Sequence, residues 1–408
     1  MNVAEMAETQ TVVADNPARR SRVFRAPGRV NLIGEHTDYN DGFVMPVAID
    51  LATTVSVTTR TDRLVTAFSE NFGETVDFDL DDLNGAADHW SDYVKGVASV
   101  LELSGYRLRG ADLKIQSAVP LGSGLSSSAA LEVATANALL ADSGHSVDLV
   151  DVAKLCQRAE NEFVGMRCGI MDQFVSCAGE EGTALMLDCR SLDYKLLPLP
   201  REARLIVSNT MVKHELAGSE YNVRRAECEA GVLHFAEGRP SVKVLRDVGA
   251  AELERARLEL PDRIYRRCRH VVSENARVLE AGTALESGDL EAFGQLLYAS
   301  HRSLRDDYEI SCAELDLMVE LAAQVGGVYG SRMTGGGFGG CTISLVKEDS
   351  VEEFKTNVAK GYQEATGSVP EIYVCNAAQG AREITEVGEL NEPRKNTKSH
   401  EDHSVPLV

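Results

Sequence analysis

Residues 119–131, VPLGSGLSSSAAL, join a predicted strand to a predicted helix through a loop rich in glycine and serine. The preceding residues 111–119 alternate between apolar and polar side chains as strands do, and residues 131–141 are typical of a helix. Glycine lets backbone N–H groups approach an anion closely, and the first turn of a helix adds free amides and the positive end of its dipole. The loop therefore predicts a phosphate site; the alternative is a turn that caps a buried helix.

The candidate phosphate-binding residues are seven consecutive positions, Gly122, Ser123, Gly124, Leu125, Ser126, Ser127 and Ser128. Their serine hydroxyls include a suitable ligand for a magnesium ion. The loop differs from a Walker A loop, because it has neither the G-x-x-x-x-G-K-[ST] spacing nor a nearby lysine.

A second glycine-rich stretch, residues 333–340 (MTGGGFGG), contains the spacing G-x-G-x-x-G at Gly335, Gly337 and Gly340. A dinucleotide-binding motif needs a helix after these glycines, whereas residues 341–346 alternate like a strand. The stretch is therefore either a structural hairpin or a second wall around bound phosphates. Five glycines in six residues favour the wall.

Residues 28–42, GRVNLIGEHTDYNDG, bring Arg, Glu, His and Asp side chains into one segment behind an apolar lead-in. A carboxylate accepts hydrogen bonds from two neighbouring hydroxyls, so Glu35 and Asp38 together with His36 suit a polyol or sugar. Arg29 can offset negative charge that develops during a reaction. A metal site is a weaker interpretation, because no second histidine has ligand-like spacing, and a solvated turn would not explain Arg29.

Two further carboxylates are candidates for chemistry. Glu160 falls on a predicted helix over 150–163, and Asp172 follows in the segment CGIMDQF at 168–174. An acid flanked by apolar residues, as Asp172 is, is a candidate base when a cation compensates its charge. Taken alone, Glu160 is more often a surface residue and Asp172 more often a helix cap.

The chain has 408 residues, enough for two domains, and 44% of them are hydrophobic, as in globular proteins. Its formal net charge of −22 disfavours nucleic acid and anionic membranes as partners. A bound nucleotide would need a divalent cation, backbone amides and a few arginines. The nine cysteines form no C-x-x-C pair, and neither a secretory signal nor a membrane span is evident, so we expect a cytoplasmic protein.

The predicted organisation has two domains between two flexible tails. The tails are 1–22 and 386–408, the N-terminal domain with the sugar and phosphate motifs is 23–200, and the C-terminal domain with the second glycine-rich stretch is 201–385. Strands are predicted within 43–60, 183–187, 205–207, 341–346 and 371–375, an acidic loop over 71–91, and helices from about residue 220.

Residues His301–Asp306 (HRSLRD) are faintly similar to the catalytic loop of protein kinases, but no D-F-G triplet follows them. We interpret them as the arginine-rich end of a helix.

Together these motifs resemble those of the GHMP small-molecule kinases. Residues 120–134 resemble the ATP motif of that family and residues 330–340 (GSRMTGGGFGG) its third motif, while residues 28–42 resemble the signature of members that phosphorylate D-galactose. Segments 168–174 and 214–225 (HELAGSEYNVRR) also match, so the resemblance covers about residues 25–380. It implies a two-domain α+β / α/β fold, with a ribosomal-protein-S5-like N-terminal domain, a ferredoxin-like C-terminal domain and the active site in the cleft.

The resemblance also implies roles for individual residues. Asp172 would be the base for the anomeric hydroxyl and Arg29 its stabilising cation, while Ser128 and Glu160 would hold Mg²⁺. The residues that would bind the sugar are Glu35, His36, Thr37, Asp38, Gly169 and Tyr221. The ATP phosphates would lie across residues 122–128, and Ser69 with Trp90 and Tyr93 would form the adenine pocket.

The activity so implied is phosphoryl transfer from ATP to D-galactose, giving galactose 1-phosphate and ADP, by a cytosolic monomer in galactose metabolism. Two alternatives stay open. One is a kinase of the same family that acts on another sugar, such as N-acetylgalactosamine or arabinose, and the other is a non-catalytic regulator that binds sugar and ATP. The unbroken loop at 122–131 and the presence of Asp172 favour an enzyme.

Overall fold

The computed structural model of the protein describes residues 21–213 and 217–384, with side chains in those ranges except at 213 and 217–219. The predicted tails lie outside the described residues, apart from Ser21 and Arg22. Arg22 was expected in the tail and instead begins the first strand. Part of the motif at 214–225 also lies outside the described residues.

Strands and helices follow one another in runs along the chain. The strands are β1 Arg22–Asn31, β2 Phe43–Val44, β3 Pro46–Thr59, β4 Leu64–Ser69, β5 Glu74–Asp79, β6 Ala111–Ser117, β7 Thr183–Asp188, β8 Tyr194–Pro198, β9 Ala203–Lys213, β10 Val328–Thr334, β11 Gly339–Lys347, β12 Glu371–Cys375 and β13 Arg382–Ile384. The α-helices are α1 Ser91–Leu103, α2 Ser127–Asp142, α3 Leu149–Ala159, α4 Met171–Ala178, α5 Ala217–Gly238, α6 Ala250–Arg255, α7 Asp262–Ser287, α8 Leu290–Ser303, α9 Ala313–Ala323 and α10 Val351–Thr366. Wider π-helical turns, Glu160–Val164 and Leu304–Tyr308, extend α3 and α8.

The strands of the described residues form three sheets. The largest has the order β13-β1-β3-β6-β4-β5, and within it β4 and β6 are parallel while the other neighbours are antiparallel. The second sheet has the order β10-β11-β9-β12 and the third β2-β7-β8, both antiparallel. The expectation of mixed helices and sheets is confirmed.

One apolar core joins the early and late parts of the chain. It contains Val30 of β1, Val278 of α7, Phe293 of α8 and Ile343 of β11, all fully or almost fully buried. Burial of apolar side chains is the main favourable term in folding. This core therefore fixes the N-terminal polar segment, which follows β1, against the C-terminal glycine-rich hairpin β10–β11.

The predicted domain boundary at residue 200 falls between β8 and β9, where the chain leaves the three-stranded sheet for the four-stranded one. The last strand, β13, returns to pair with β1 in the large sheet. The division into two domains stays a prediction.

The acidic loop expected over 71–91 is wrong in part, because Glu74–Asp79 forms strand β5. Among the described residues this strand pairs with β4 alone, at the sheet edge, and Phe78 is its single buried side chain. Edge strands commonly carry charged, exposed residues, so the composition resembled that of a loop.

Among the described residues, no helix combines the length and apolar character needed to cross a bilayer.

Candidate active site

A break in the regular pairing of β1 with β3 lies directly before Arg29. The pairing of β1 with β3 shifts register between Pro27 and Arg29, so Gly28 has no partner across the ladder. A Cβ atom at Gly28 would lie 2.7 Å from the carbonyl oxygen of Leu125. Because glycine leaves this space open, the backbone N–H of Arg29 donates to that carbonyl at 3.0 Å. The glycine–serine loop therefore lies directly against the strand that carries Arg29.

The two glycine-rich stretches meet backbone to backbone. Ser126 takes a left-handed conformation with φ 57°, as Gly122 and Gly124 do with φ 65° and 80°, and α2 begins at the next residue, Ser127. The first amides of a helix have no acceptor within the helix, so they are available to an anion. A Cβ atom at Gly335 would lie 2.8 Å from the oxygen of Gly124. The hairpin β10–β11 thus forms a second wall beside the loop.

Arg29 holds the carboxylate of Asp172 through both oxygens. Its Nε donates to Oδ1 at 2.8 Å and its Nη2 to Oδ2 at 2.6 Å, while Nη1 donates to the carbonyl of Gly124 at 2.8 Å. The Ser126 hydroxyl donates to the same Oδ2 of Asp172. Burial alone would lower the pKa of Arg29, but the carboxylates of Asp172 and Glu35 raise it. Paired bidentate geometry of this kind is strong and directional.

Glu160 lies beside this pair at the end of α3. It is buried, and burial together with the charge of Asp172 raises its pKa, while hydrogen bonds from Cys168, Ser128 and Gln173 oppose that rise. The bond from Ser128 joins the first turn of α2 to Glu160. A hydroxyl and a carboxylate are hard oxygen ligands that suit Mg²⁺, which usually takes one or two carboxylates together with substrate phosphates.

Behind Glu160 a fully buried amide bridges two acids. Nε2 of Gln173 donates to Oε2 of Glu160 at 2.6 Å and to Oε2 of Glu132 at 3.0 Å. Burial and the charge of Glu160 raise the pKa of Glu132 well above its usual value. The sequence analysis missed both Gln173 and Glu132. Two signals were available: Gln173 directly follows Asp172, and Glu132 lies four residues after Ser128, on the same helix face.

A cavity of about 120 Å³ opens between these groups. The residues that line it are Arg29, Glu35, His36, Asp38, Glu160, Met166, Cys168, Gly169, Met171, Asp172, Tyr221, Gly335 and Gly336. A larger polar cavity of about 310 Å³ adjoins it and shares Asp38, Cys168 and Gly169. The polar segment, the carboxylates and the hairpin glycines that were predicted separately thus meet at one place.

Asp38 and Gly169 fit against each other in the cavity wall. A Cβ atom at Gly169 would lie 1.9 Å from Oδ2 of Asp38, so the close approach requires glycine. Burial, with the negative charge of Asp172, raises the pKa of Asp38 to about 7, although the N–H of Tyr39 acts in the opposite direction. His36 is also buried, and this burial is the main reason that its pKa is lowered to about 3. The centroid of its ring lies 5.1 Å from that of Tyr221.

Glu35 and Thr37, two of the predicted sugar ligands, each make several hydrogen bonds within the protein. Glu35 accepts the N–H of Gly335 at 2.7 Å, the hydroxyl of Thr334 at 3.2 Å and the side-chain amide of Asn31 at 3.0 Å. It therefore ties the N-terminal segment to the glycine-rich hairpin. The hydroxyl of Thr37 lies 2.8 and 2.6 Å from the carbonyl oxygens of Gly34 and Phe43, and Thr37 does not line the two cavities described above.

The three residues expected in the adenine pocket do not line these cavities. Ser69 ends β4 opposite Glu74, and the indole N–H of Trp90 donates to Glu74 at 2.9 Å. Trp90 also stacks on the exposed ring of Phe72, with centroids 5.9 Å apart. Tyr93 lies nearer the carboxylates: burial raises its pKa, and the negative charges of Glu160 and Glu132 raise it further.

Phosphoryl transfer depends on positioned donors around the phosphates and on a hydroxyl held beside a base, more than on covalent chemistry. The arginine and the carboxylates line one cavity, and the glycine–serine loop lies against Arg29 beside it although none of residues 122–128 lines that cavity. This arrangement provides for both needs. The fold and the site define a small-molecule kinase.

Comparisons with known proteins agree with this class. A model described as the galactokinase galactose-binding signature matches residues 14–59, and the GHMP kinase N-terminal and C-terminal domain models match residues 92–180 and 283–364. The galactokinase of Roseiflexus sp. (strain RS-1) is 47% identical over 362 residues, covering 89% of this chain and 93% of the relative. That of Chloroflexus aggregans (strain MD-66 / DSM 9485) is 49% identical over 369 residues, covering 88% and 93%.

The solved structures give the same answer. The crystal structure of Lactococcus lactis galactokinase complexed with galactose superposes with a TM-score of 0.87 at 38% identity, covering 90% of this chain and 96% of the other. A mevalonate kinase structure, with a TM-score of 0.61 at 19% identity, covers 87% and 98% and shares the fold. The chain belongs to the galactokinase family. The resemblance to GHMP kinases, the expected two-part fold of that family and its enzymatic nature are thereby confirmed.

We expect Gly169→Ala to weaken galactose binding by about 10-fold or more, because the added Cβ would displace Asp38 and overpacking of this kind typically costs 1–3 kcal/mol. The measurement is the KM for galactose, with circular dichroism as a check on folding. Gly238→Ala is the control, since no atom lies within 4 Å of a Cβ placed there. Equal KM values for the two variants would contradict the placement of Asp38.

Proposed function

We propose that the protein transfers the terminal phosphoryl group of ATP to the anomeric hydroxyl of D-galactose, giving galactose 1-phosphate and ADP. The single observation that carries this proposal is the bidentate ion pair between Arg29 and Asp172 at the wall of the 120 Å³ cavity, next to the glycine–serine loop. A carboxylate in this position can accept a proton from a hydroxyl held in the cavity while phosphate lies on the loop.

In the proposed reaction Asp172 accepts the proton of the anomeric hydroxyl. Arg29 keeps the carboxylate oriented through Nε and Nη2, and its third donor group, Nη1, is held by the Gly124 carbonyl. The Ser126 hydroxyl, which donates to Oδ2 of Asp172, helps to fix the same orientation. Because phosphoryl transfer proceeds through a loose transition state, the position of the hydroxyl matters more than a strong base.

The phosphates of ATP are proposed to lie across residues 122–128, on backbone N–H groups at the start of α2. Ser128 and Glu160 would hold Mg²⁺, which neutralises phosphate charge when it is bound. Two protein ligands suffice, because phosphate oxygens and water complete the coordination of Mg²⁺. In the described part of the chain, no group of three or more His, Cys, Asp or Glu side chains is placed to hold a metal by itself.

The sugar is proposed to bind through Asp38, His36 and Tyr221, with Gly169 leaving room for its approach. Carboxylates accept two hydroxyl donors each, and an aromatic ring offers an apolar face to the ring carbons of the sugar. Glu35 contributes by holding Gly335 in place, and direct contact between Glu35 or Thr37 and sugar stays a prediction.

Ser69, Trp90 and Tyr93 are proposed to bind adenine.

The remaining expectations are carried forward as proposals: a monomer, located in the cytoplasm, that serves galactose metabolism. The two-domain division at residue 200, with the active site between the domains, is proposed on the strength of the sheet change between β8 and β9.

A coupled assay of ADP release tests the substrate most directly. Purified protein with Mg·ATP would be presented with a panel of free hexoses, pentoses and amino sugars, including N-acetylgalactosamine and arabinose. D-Galactose is expected to give the highest kcat/KM. A higher kcat/KM for another sugar would favour a kinase of the same family that acts on that sugar. If no sugar in the panel caused ADP release, the non-catalytic alternative would be favoured.

Asp172→Asn removes the proposed proton acceptor while preserving shape. We expect kcat to fall by about 1,000-fold, within the range for loss of a general base, while calorimetry still detects galactose binding. Asp262→Asn, an exposed acid in the first turn of α7, is the control. A variant at position 172 that retains near-normal kcat would show that the base is another group.

Glu160→Gln tests the metal ligand. We expect the Mg²⁺ concentration for half-maximal activity to rise by about 10-fold or more, and the affinity for Mn·ADP, measured by paramagnetic resonance, to fall in parallel. Glu162→Gln is the matched control in the same π-helical turn, because Glu162 is largely exposed and pairs with Arg158 at 2.8 Å. Equal effects in the two variants would exclude Glu160 as a ligand.

The raised pKa of Asp38, about 7, predicts that galactose affinity depends on pH. Below that pH the free enzyme carries a proton on Asp38, which then accepts hydroxyl donors poorly. As the pH rises from 6 to 8 the carboxylate forms, so the Kd for galactose should fall about 5- to 10-fold. Asp38→Asn should abolish this dependence. An unchanged pH profile in that variant would assign the titration to Glu160 or another group.

A further inference from the structure

A fully buried glutamine lies between two acids behind the proposed metal site. Gln173 follows Asp172 in the first turn of α4, and its side chain is excluded from solvent. Its Nε2 donates to Oε2 of Glu160 at 2.6 Å and to Oε2 of Glu132 at 3.0 Å. An amide nitrogen carries two hydrogens, so the two acids use the whole donor capacity of this side chain.

Packing alone does not require an amide at this position. Oε1 of Gln173 is buried and has no hydrogen-bond partner among the described residues, and the same holds for Oε1 of Glu132. A buried polar atom without a partner is costly, and a methionine would fill a similar space without that cost. The two N–H groups that Gln173 offers to the acids are therefore the feature that distinguishes it from an apolar residue.

The glutamine and a cysteine hold a single oxygen of Glu160. Nε2 of Gln173 at 2.6 Å and Sγ of Cys168 at 3.3 Å both donate to Oε2. Neither of them engages Oε1. Glu160 lines the cavity of about 120 Å³, so a carboxylate that is fixed through Oε2 keeps Oε1 for a ligand on the cavity side.

The helix that carries Ser128 also anchors the glutamine. Ser128 lies in the first turn of α2, and Glu132 lies one turn later on the same face. Regular α3 ends at Ala159, and a π-helical turn begins at Glu160. Because Glu132 holds the amide of Gln173 and that amide holds Glu160, the position of the Glu160 carboxylate is tied to the helix that carries Ser128.

We propose that Gln173 and Glu132 are positioning residues for the metal ligand Glu160. Glu132 fixes the amide of Gln173, and Gln173 fixes the Glu160 carboxylate in the place where it receives the divalent cation together with Ser128. Neither positioning residue lines the two cavities, so both act through Glu160. The inference rests on the proposed function and deepens it, because it assigns a role to residues behind the proposed ligands.

Gln173→Met keeps the length of the side chain and removes both N–H donors. The affinity for ADP is measured without sugar, as Mn·ADP by paramagnetic resonance and as ADP in EDTA by calorimetry. We expect the Kd for Mn·ADP to rise about 10-fold, while the Kd for ADP in EDTA and the Kd for galactose stay within twofold. A loss of equal size with and without Mn²⁺ would indicate general damage to the loop and would overturn the proposal.

Gln379→Met is the matched control. The amide of Gln379 donates to the carbonyl of Gly179 at 3.3 Å, at the opposite end of α4 from Gln173. This variant also exchanges a glutamine for a methionine, and its Kd for Mn·ADP is expected to stay within twofold of that of the unaltered protein. Equal values for Gln379→Met and Gln173→Met would overturn the proposal.

A double-mutant cycle with Glu160→Gln tests whether Gln173 acts through Glu160. Once Glu160 is replaced, Gln173→Met is expected to raise the Kd for Mn·ADP less than twofold further, because residues that act through one group are not additive. A second loss of about 10-fold would place the effect of Gln173 elsewhere and overturn the proposal. If Glu160→Gln alone left the affinity for Mn·ADP unchanged, the proposed metal ligand itself would be rejected.

If Gln173→Met does not fold, substitutions at Glu132 test the other end of the arrangement. Glu132→Met removes the acceptor of the Gln173 amide and is expected to raise the Kd for Mn·ADP about 5-fold, as for one lost hydrogen bond. Glu132→Gln retains an acceptor oxygen and is expected to restore the affinity to within twofold. Equal affinities of the two variants at position 132 would overturn the proposal.

Discussion

The ion pair between Arg29 and Asp172 is the interaction on which the site depends. It places a carboxylate and its counter-charge at the junction of β1, the glycine–serine loop and the start of α4. Arg29 is buried and Asp172 is only partly exposed, so the removal of either partner would leave the other charge without its counter-charge. The register shift at Gly28 and the contact of that glycine with Leu125 support this pair, because they bring the loop against the strand that carries Arg29.

The site is nevertheless strongly acidic, as is the whole chain with its net charge of −22. Besides Asp172 it gathers Asp38, Glu160 and Glu132, and the pKa of each of these three is raised. Burial and the repulsion among neighbouring carboxylates cause these rises, so the acids by themselves oppose the approach of a nucleotide. Local amides at the start of α2 and a divalent cation on Ser128 and Glu160 would supply the attraction that the net charge opposes.

The sequence was sufficient to predict the motifs, the mixed fold and the residues that meet at the cavity, because each motif has a local physical signature. Arg29, Asp38, Glu160, Gly169, Asp172 and Tyr221 all line it. Partners could not be predicted: Gln173 bridges two acids from different helices, Glu35 is committed to Gly335 some 300 residues later, and Tyr308 reaches His36 only through the fold. Strand β5 was predicted as a loop because an exposed edge strand has a composition similar to that of a loop.

A crystal structure of the protein with D-galactose and a non-hydrolysable ATP analogue tests the central claim most directly. The account predicts the anomeric oxygen of the sugar within about 3 Å of an Asp172 carboxylate oxygen, with the terminal phosphorus in line beyond it and the phosphates on the 122–128 loop beside Ser128. A terminal phosphate distant from Ser128, or an anomeric oxygen out of reach of Asp172, would contradict it.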